Sequence, residues 1–235
     1  MYQAPELKAV ICNAHMVKQE IIDRFGVSHD KIHVIYNAIN SAQFIPVDES
    51  ERLVLRNKLS LPVNASILIF VGSGFERKGL AAAIRAISGT NRYLVVVGKD
   101  KAEKHYRALA AELGCSERVI FTGMQTDTLT WYQAADGLIL PTLYDPFPNV
   151  ILEAMSCGLP VITSTTCGGS EYIQAGENGY VCDALDIPAL RDAIMALPLH
   201  ASGSKMAFYA RERVKDSSPQ RLSEQLVSLY QQILD

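Results

Sequence analysis

A doubly wound α/β fold built on a parallel sheet is what this sequence predicts, and three observations predict it. Short apolar runs recur along the chain, and most lack the polar/apolar alternation of a sheet with one wet face. Helix-periodic stretches separate them, as in repeated strand–helix–strand units. Gly, charged and hydroxyl residues gather in the loops after the apolar runs, where an open sheet of this kind binds ligands.

Taken in order, "KAVICN" (8–13) reads as a first strand, 14–25 as a helix that Gly26 ends, and "KIHVIYN" (31–37) as a second strand. This unit is too small to be a domain by itself. Residues 38–65 read as a connector carrying one polar helix. The main series follows: strand 66–72, helix 79–88, strand 93–98, helix 102–113 with Gly114 past its end, strand 118–123, helix 127–135 and strand 137–141. It continues through helix 149–157, strands 160–164 and 179–182, and helix 186–197. The tail after Pro198 is helical, with Leu222, Leu226, Leu229 and Ile233 on one face.

Composition excludes several classes. The chain has 235 residues, 49% apolar and 20% charged, as an ordinary globular protein does. A net charge of −3 offers no basic field for nucleic acid. No apolar run approaches the roughly 20 residues of a membrane span, and the start "MYQAPELKAV" lacks the regions of a secretory signal. A cytoplasmic location is therefore expected. Cys12, Cys115, Cys157, Cys167 and Cys182 have no zinc-ligand spacing, so no metal site is expected and the thiols read as reduced and buried. The five histidines are scattered, and Trp131 reads as helix packing. Lys101, Lys104 and Arg107 line a helix, either as a solvated face or as one that meets an anionic membrane surface.

The loop "FVGSGFERKGL" fails two motifs. A dinucleotide fingerprint has Gly72 and Gly74 in place, but its third glycine is Arg77; a Walker loop has Gly74 and Gly79, but Leu80 and Ala81 follow. What remains is a glycine-flexible turn with adjacent cations, Arg77 and Lys78. Arg presents a planar fork to phosphate oxygens and Lys a point charge, so the pair suits a diphosphate. Taken alone, the same two residues read equally well as solvated surface charges.

The stretch "LYDPFPNVILEAMSCG" adds two acids. Asp145 precedes Pro146 and is held extended; Pro148 suits the first turn of a helix. The N–H groups of Asn149, Val150 and Ile151 are then expected to be free, an arrangement that attracts phosphate. Glu153 lies one turn in. A carboxylate can accept two hydrogen bonds from a vicinal diol, so Asp145 and Glu153 read as sugar ligands flanking a phosphate site. Separately, Glu153 could serve only the helix dipole and Asp145 only a turn.

The ordered segments "VGSGFERKG", "VVVGKD", "VIFTGMQTD", "PTLYDPFPNVILEAMSCGLPVITSTTCGGSEYI" and "ENGYV" resemble the donor-sugar half of family 4 retaining glycosyltransferases, whose GT-B fold faces two Rossmann-like domains. The likeness runs from about residue 7 to residue 197. "ICNAHMVKQEIIDRFGVSHDKIHVIYNAIN" resembles the last strand–helix–strand of the acceptor-binding domain. Within the family, the loops look most like lipopolysaccharide-core transferases that add glucose from UDP-glucose to heptose.

The resemblance implies a division of 1–40 as a remnant of the acceptor domain, 41–215 as the nucleotide-sugar domain and 216–235 as a helix crossing back toward the first domain. It implies that Arg77 and Lys78 hold the donor diphosphate and stabilise the leaving UDP, with Gly72 and Gly74 in the loop around it. Asp145, one methylene shorter than the family's usual Glu, contacts the donor hexose, and Glu153 the ribose. Main-chain groups of Phe147, Pro148, Asn149 and Val150 meet sugar and phosphate, and Gly123, Met124 and Gln125 the uracil. No metal or other cofactor is implied. The implied partners are a UDP-sugar, a glycan or glycolipid acceptor, the missing N-terminal domain and the cytoplasmic face of the inner membrane.

Most of the acceptor domain is absent from this chain, which is expected to be a fragment, a truncated reading frame or an isolated domain whose last helix exposes an apolar patch. The alternatives are a UDP-sugar-binding half that cannot transfer alone, and a dinucleotide-dependent oxidoreductase. The second is disfavoured by Arg77 and by Lys99 standing before Asp100.

Overall fold

The computed structural model describes residue 4, residues 6–200 and residues 203–234. Residues 1–3 and 5 of the expected 1–40 unit, and residue 235 of the last helix, lie outside the described residues.

The strands without alternation form the central layer. β3 (Ile67–Val71), β4 (Tyr93–Val97), β5 (Val119–Gly123), β6 (Gly137–Leu140), β7 (Val161–Ser164) and β8 (Gly179–Cys182) make one six-stranded parallel sheet ordered β5-β4-β3-β6-β7-β8. Every residue of β3, β6 and β7 is buried, whereas β5 and β8, with one neighbour each, are only partly covered. Helices α3 (Leu80–Ser88), α4 (Glu103–Glu112) and α7 (Ile187–Ala196) pack together as one layer. α2 (Glu49–Lys58), α5 (Thr128–Ala134), α6 (Asn149–Ser156) and α8 (Lys205–Val214) form the other. The predicted doubly wound α/β architecture is the observed one.

The strand order has a consequence that the one-dimensional pattern hides. From β3 the chain winds outward to β4 and β5, then returns to lay β6 against the other side of β3. The order reverses between β3 and β6, so the crevice of the sheet opens between the loops that follow these two strands. Those loops are residues 72–79 and 141–148.

β1 (Val10–Cys12) and β2 (Ile32–Val34) pair in parallel in a separate two-stranded sheet, packed with α1 (His15–Phe25) around Cys12, Ile21, Val27 and Ile32. Both strands are shorter than predicted, because with one partner each only their centres close a ladder. α1 starts at Ala14, which has no capping side chain. Its first N–H groups are capped from afar: Glu171, in a 3₁₀ turn of the main domain, accepts from His15 N (3.1 Å), Met16 N (2.9 Å) and the Tyr36 hydroxyl (2.6 Å).

The helix predicted within 38–65 is α2, capped by Asp48. It is less solvated than its composition implies. Arg52 and Arg56 are fully buried and both pair with Asp136, just before β6, Arg56 at 2.7 Å. Asp136 also accepts from Ile67 N at 2.7 Å, and Arg56 donates to the carbonyls of Val63, Ala65 and Ala134.

The tail forms two helices, α8 and α9 (Pro219–Leu234). The predicted face of α9 turns inward, with Leu229 buried and Leu222, Leu226 and Ile233 half-buried. The exposed apolar residues of α9 are Val227, Tyr230 and Leu234, on a different face. Leu229 and residues Ile32 to Ile35 border a groove of about 730 Å³. No described helix is long and apolar enough to cross a membrane.

Candidate functional site

The two loops at the reversal point are stitched together through their backbones. Gly79, at the start of α3, has φ +76°, and a Cβ there would lie 1.9 Å from the Pro141 carbonyl oxygen. The Arg77 carbonyl accepts from Leu143 N (2.8 Å) and from the Thr142 hydroxyl (2.9 Å). Gly72 has φ +138°, and a Cβ there would sit 2.6 Å from Lys78 Cε, so the lysine stem lies directly across this glycine. Gly74 shares the turn, and Asp100 Oδ2 anchors it by accepting from Phe75 N (3.0 Å).

The fold brings together three residues that are far apart in sequence. Arg77 Nη1 and Lys78 Nζ both approach Asp145 Oδ2, at 3.0 and 3.6 Å. Arg77 is half exposed and also donates to the Tyr144 carbonyl at 2.7 Å, whereas Lys78 and Asp145 are buried. Asp145 is fixed through its main chain, which donates to Thr166 O and accepts from Gly168 N. The sequence assigned the acid and the cations to different parts of a ligand; the structure pairs them with one another.

α6 opens at the same place. Pro148 is the residue before its first turn rather than within it, with φ −75° and ψ 122°, and the helix has no side-chain cap. The N–H groups of Asn149 and Val150 find no partner among the described residues. The expected third free amide is corrected: Ile151 N donates to Pro148 O at 3.1 Å, because the first turn tightens to close that bond. The Asn149 side-chain oxygen accepts from Asn37 (2.7 Å), which also donates to Phe147 O (3.2 Å), so the first unit reaches the rim of the site.

Glu153 faces inward from α6, half-buried, and accepts from the Tyr132 hydroxyl at 2.8 Å. Burial pushes its carboxyl up from the ordinary range; the Tyr132 bond and the Lys78 charge pull against that. Lys78 therefore acts electrostatically on both acids. A raised carboxyl means that the folded protein holds a proton which the unfolded chain releases. Stability therefore falls as pH rises from the ordinary carboxylate range through the raised value. Glu153→Gln keeps an acceptor for Tyr132 without a charge to desolvate. It is expected to melt higher than the wild type at neutral pH, with the gap closing in acid, as a thermal denaturation series across pH would show.

The remaining predicted residues fall at the rim or beneath the site. Phe147 is buried among Tyr36 and Tyr172, with ring centroids 5.8 and 5.4 Å away, so only its main chain can meet a ligand. Gly123 ends β5 and its carbonyl accepts from Gly98 N; Met124 is exposed, and Gln125 folds back onto Thr122 O. Arg107 is half exposed, pairs with Glu103 at 2.8 Å and lies 4.5 Å over the Phe121 ring. Trp131 packs against the core as predicted. The cysteines are free and mostly buried, and burial pushes the Cys157 and Cys167 thiols up to about 12 and 11, which leaves them poor nucleophiles. The described residues contain no cluster of His, Cys, Asp and Glu fit for a metal. Asp100, whose oxygens accept from Phe75 N and Ala102 N, is committed to loop structure rather than to a ribose, which removes support from the oxidoreductase alternative.

Sequence reasoning missed Tyr132, Glu171 and Asn37. Tyr132 had a readable signal: it follows Leu129 by three residues, on the inner face of a short helix, and a buried tyrosine hydroxyl needs a polar partner. Glu171 and Asn37 act across long sequence separations and carried none.

Comparison with known proteins agrees with this architecture. The family model described as Glycosyl transferases group 1 matches residues 51–213, and that described as Glycosyltransferase Family 4 matches residues 2–43. The lipopolysaccharide core biosynthesis glycosyltransferase LpsE of Rhizobium meliloti is 31% identical over 186 residues, 79% of this chain and 52% of that protein. The lipopolysaccharide glucosyltransferase WaaG of Escherichia coli is 36% identical over 138 residues, 56% of this chain and 37% of that protein. A WaaG crystal structure superposes with a TM-score of 0.78 at 26% identity, covering 93% of this chain and 61% of that one. The Anabaena protein HepE, crystallised with UDP and glucose, shares the fold at 21% identity, with a TM-score of 0.81 over 96% of this chain and 63% of that one. The chain spans about half the length of the curated relatives it matches. The fold is the Rossmann-like half of the GT-B architecture. With a family match that covers well over half of its residues and spans both loops of the crevice, the chain belongs to the group 1 glycosyl transferases.

Proposed function

We propose that this chain carries the donor site of a retaining hexosyltransferase that takes glucose from UDP-glucose and passes it to a lipopolysaccharide-core heptose or a related glycan. The observation that carries the reading is Lys78, a buried cation placed between two acids at the reversal point, with Arg77 and the free amides of α6 beside it. Breaking the bond from the sugar to the diphosphate loads negative charge onto the β-phosphate. Arg77, Lys78 and the α6 N-terminus are preorganised donors for that charge. Two side-chain cations and two amides are the donors assigned to the diphosphate, and the proposal includes no divalent metal. Glu153, held by Tyr132, is assigned to the ribose, Asp145 to the hexose, and Gly123 to Gln125 to the uracil.

Cytoplasmic placement, contact with the inner membrane and dependence on a facing N-terminal domain belong to the same proposal. Its rival is a half that binds UDP-sugar without transferring it, which a transfer assay with and without an acceptor domain distinguishes. The direct test is a metal-free calorimetric titration. UDP and UDP-glucose should bind, NAD should not, and Glu153→Ala should weaken UDP about tenfold, the loss of charge-assisted hydrogen bonds. Binding of NAD, or indifference to Glu153→Ala, would overturn the reading.

A further inference from the structure

We propose that Asp145 is a built-in counter-ion that competes with the donor diphosphate for Arg77 and Lys78, and so sets how readily UDP leaves. This rests on the donor-site reading above and adds a role that reading does not contain.

Oδ2 of Asp145 lies 3.0 Å from Arg77 Nη1 and 3.6 Å from Lys78 Nζ, so the two cations assigned to phosphate converge on a single carboxylate. That carboxylate cannot drift away. Asp145 is 7% exposed, its N–H donates to Thr166 O (3.2 Å), and its carbonyl accepts from Gly168 N (2.9 Å). Lys78 is likewise buried, with its side chain 11% exposed and its stem beside Gly72. Counting Glu153, whose carboxyl feels the Lys78 charge, two cations face two acids and the cluster is close to neutral.

A diphosphate entering this cluster gains the cations only by giving them a new partner, and it meets the repulsion of Asp145 as it does so. When a hexose is attached, its hydroxyls give Asp145 a replacement for the bonds that it loses. Once the hexose has been transferred, nothing compensates Asp145, and its pairs with Arg77 and Lys78 favour release of UDP. Asp145 thus works in opposite directions on donor and product: it holds the sugar-bearing form and expels the spent one.

The test is metal-free calorimetry with UDP, inorganic pyrophosphate and uridine, on the wild type and on Asp145→Asn. The variant is expected to bind UDP and pyrophosphate about fivefold tighter, the worth of a partly exposed ion pair. Uridine should be unaffected, and the gain should shrink as salt is raised. Asp145→Ala, which leaves both main-chain bonds intact, should show the same gain, and thermal melting confirms that each variant is folded. UDP affinity that is unchanged or weaker in both variants overturns the counter-ion role while leaving the donor site standing. Failure of the wild type and both variants to bind UDP overturns the donor-site reading and this inference with it.

Discussion

Asp136→Ala is expected to cost about 3–5 kcal/mol of folding stability, the range for breaking a buried ion pair from one side. Against a total of roughly 5–15 kcal/mol for a domain, that approaches unfolding. The reason lies in how many groups depend on one carboxylate. Asp136 is fully buried and holds Arg52, Arg56 and Ile67 N, so its removal leaves buried Arg56 without its carboxylate and buried Arg52 with Glu49 alone. Buried ion pairs can often be replaced by apolar residues at little cost, but here that route is closed. Arg56 also serves the carbonyls of Val63, Ala65 and Ala134, and an apolar substitute would orphan all three. Replacing Arg52, Arg56 and Asp136 together by apolar residues is therefore expected to remain strongly destabilising. Urea denaturation reads both results as a fall in midpoint; a triple variant as stable as the wild type would show that the network is dispensable.

Lys78→Ala is expected to weaken UDP binding about 10- to 100-fold, or ~1.5–3 kcal/mol, as befits a buried, charge-assisted contact to phosphate. Its side chain is only 11% exposed, so the charge is poorly screened. Arg77, half in solvent, is expected to contribute less. Lys78→Arg should restore affinity only in part, because a guanidinium is a broad planar fork where lysine offers a compact point charge. Removing Lys78 also removes a charge that holds the Glu153 carboxyl down, so the residual UDP binding of Lys78→Ala should fail at a higher pH than that of the wild type. Calorimetry across pH tests both statements, and an affinity and pH profile equal to the wild type would remove Lys78 from the site.

Much of the fold was legible because strand burial leaves a local trace. All eight apolar runs became strands, and the runs of β3, β6 and β7, buried throughout, are those for which the lack of alternation reports cover on both faces. Helix starts were legible where a side chain does the capping, as with Asp127 and Asp186. α1 was read without its actual cap, because Glu171 arrives from the far end of the chain. The buried arginines of α2 were read as polar surface for the same reason: nothing near them in sequence announces Asp136.

The site divides along the same line. By itself the sequence determined its chemical inventory: the cations Arg77 and Lys78, the acids Asp145 and Glu153, and a helix start between the acids, each legible from residue type and local turn chemistry. Only the tertiary structure decided that the β3 and β6 loops share one crevice, through a strand order that no local pattern encodes. It also decided that Asp145 pairs with the cations, that Ile151 N is already used, and that Tyr132 holds Glu153. Residue type and spacing set what each group can do, whereas electrostatics and hydrogen bonding depend on distance in space. For groups 20 to 70 residues apart, the folded sheet alone supplies that distance.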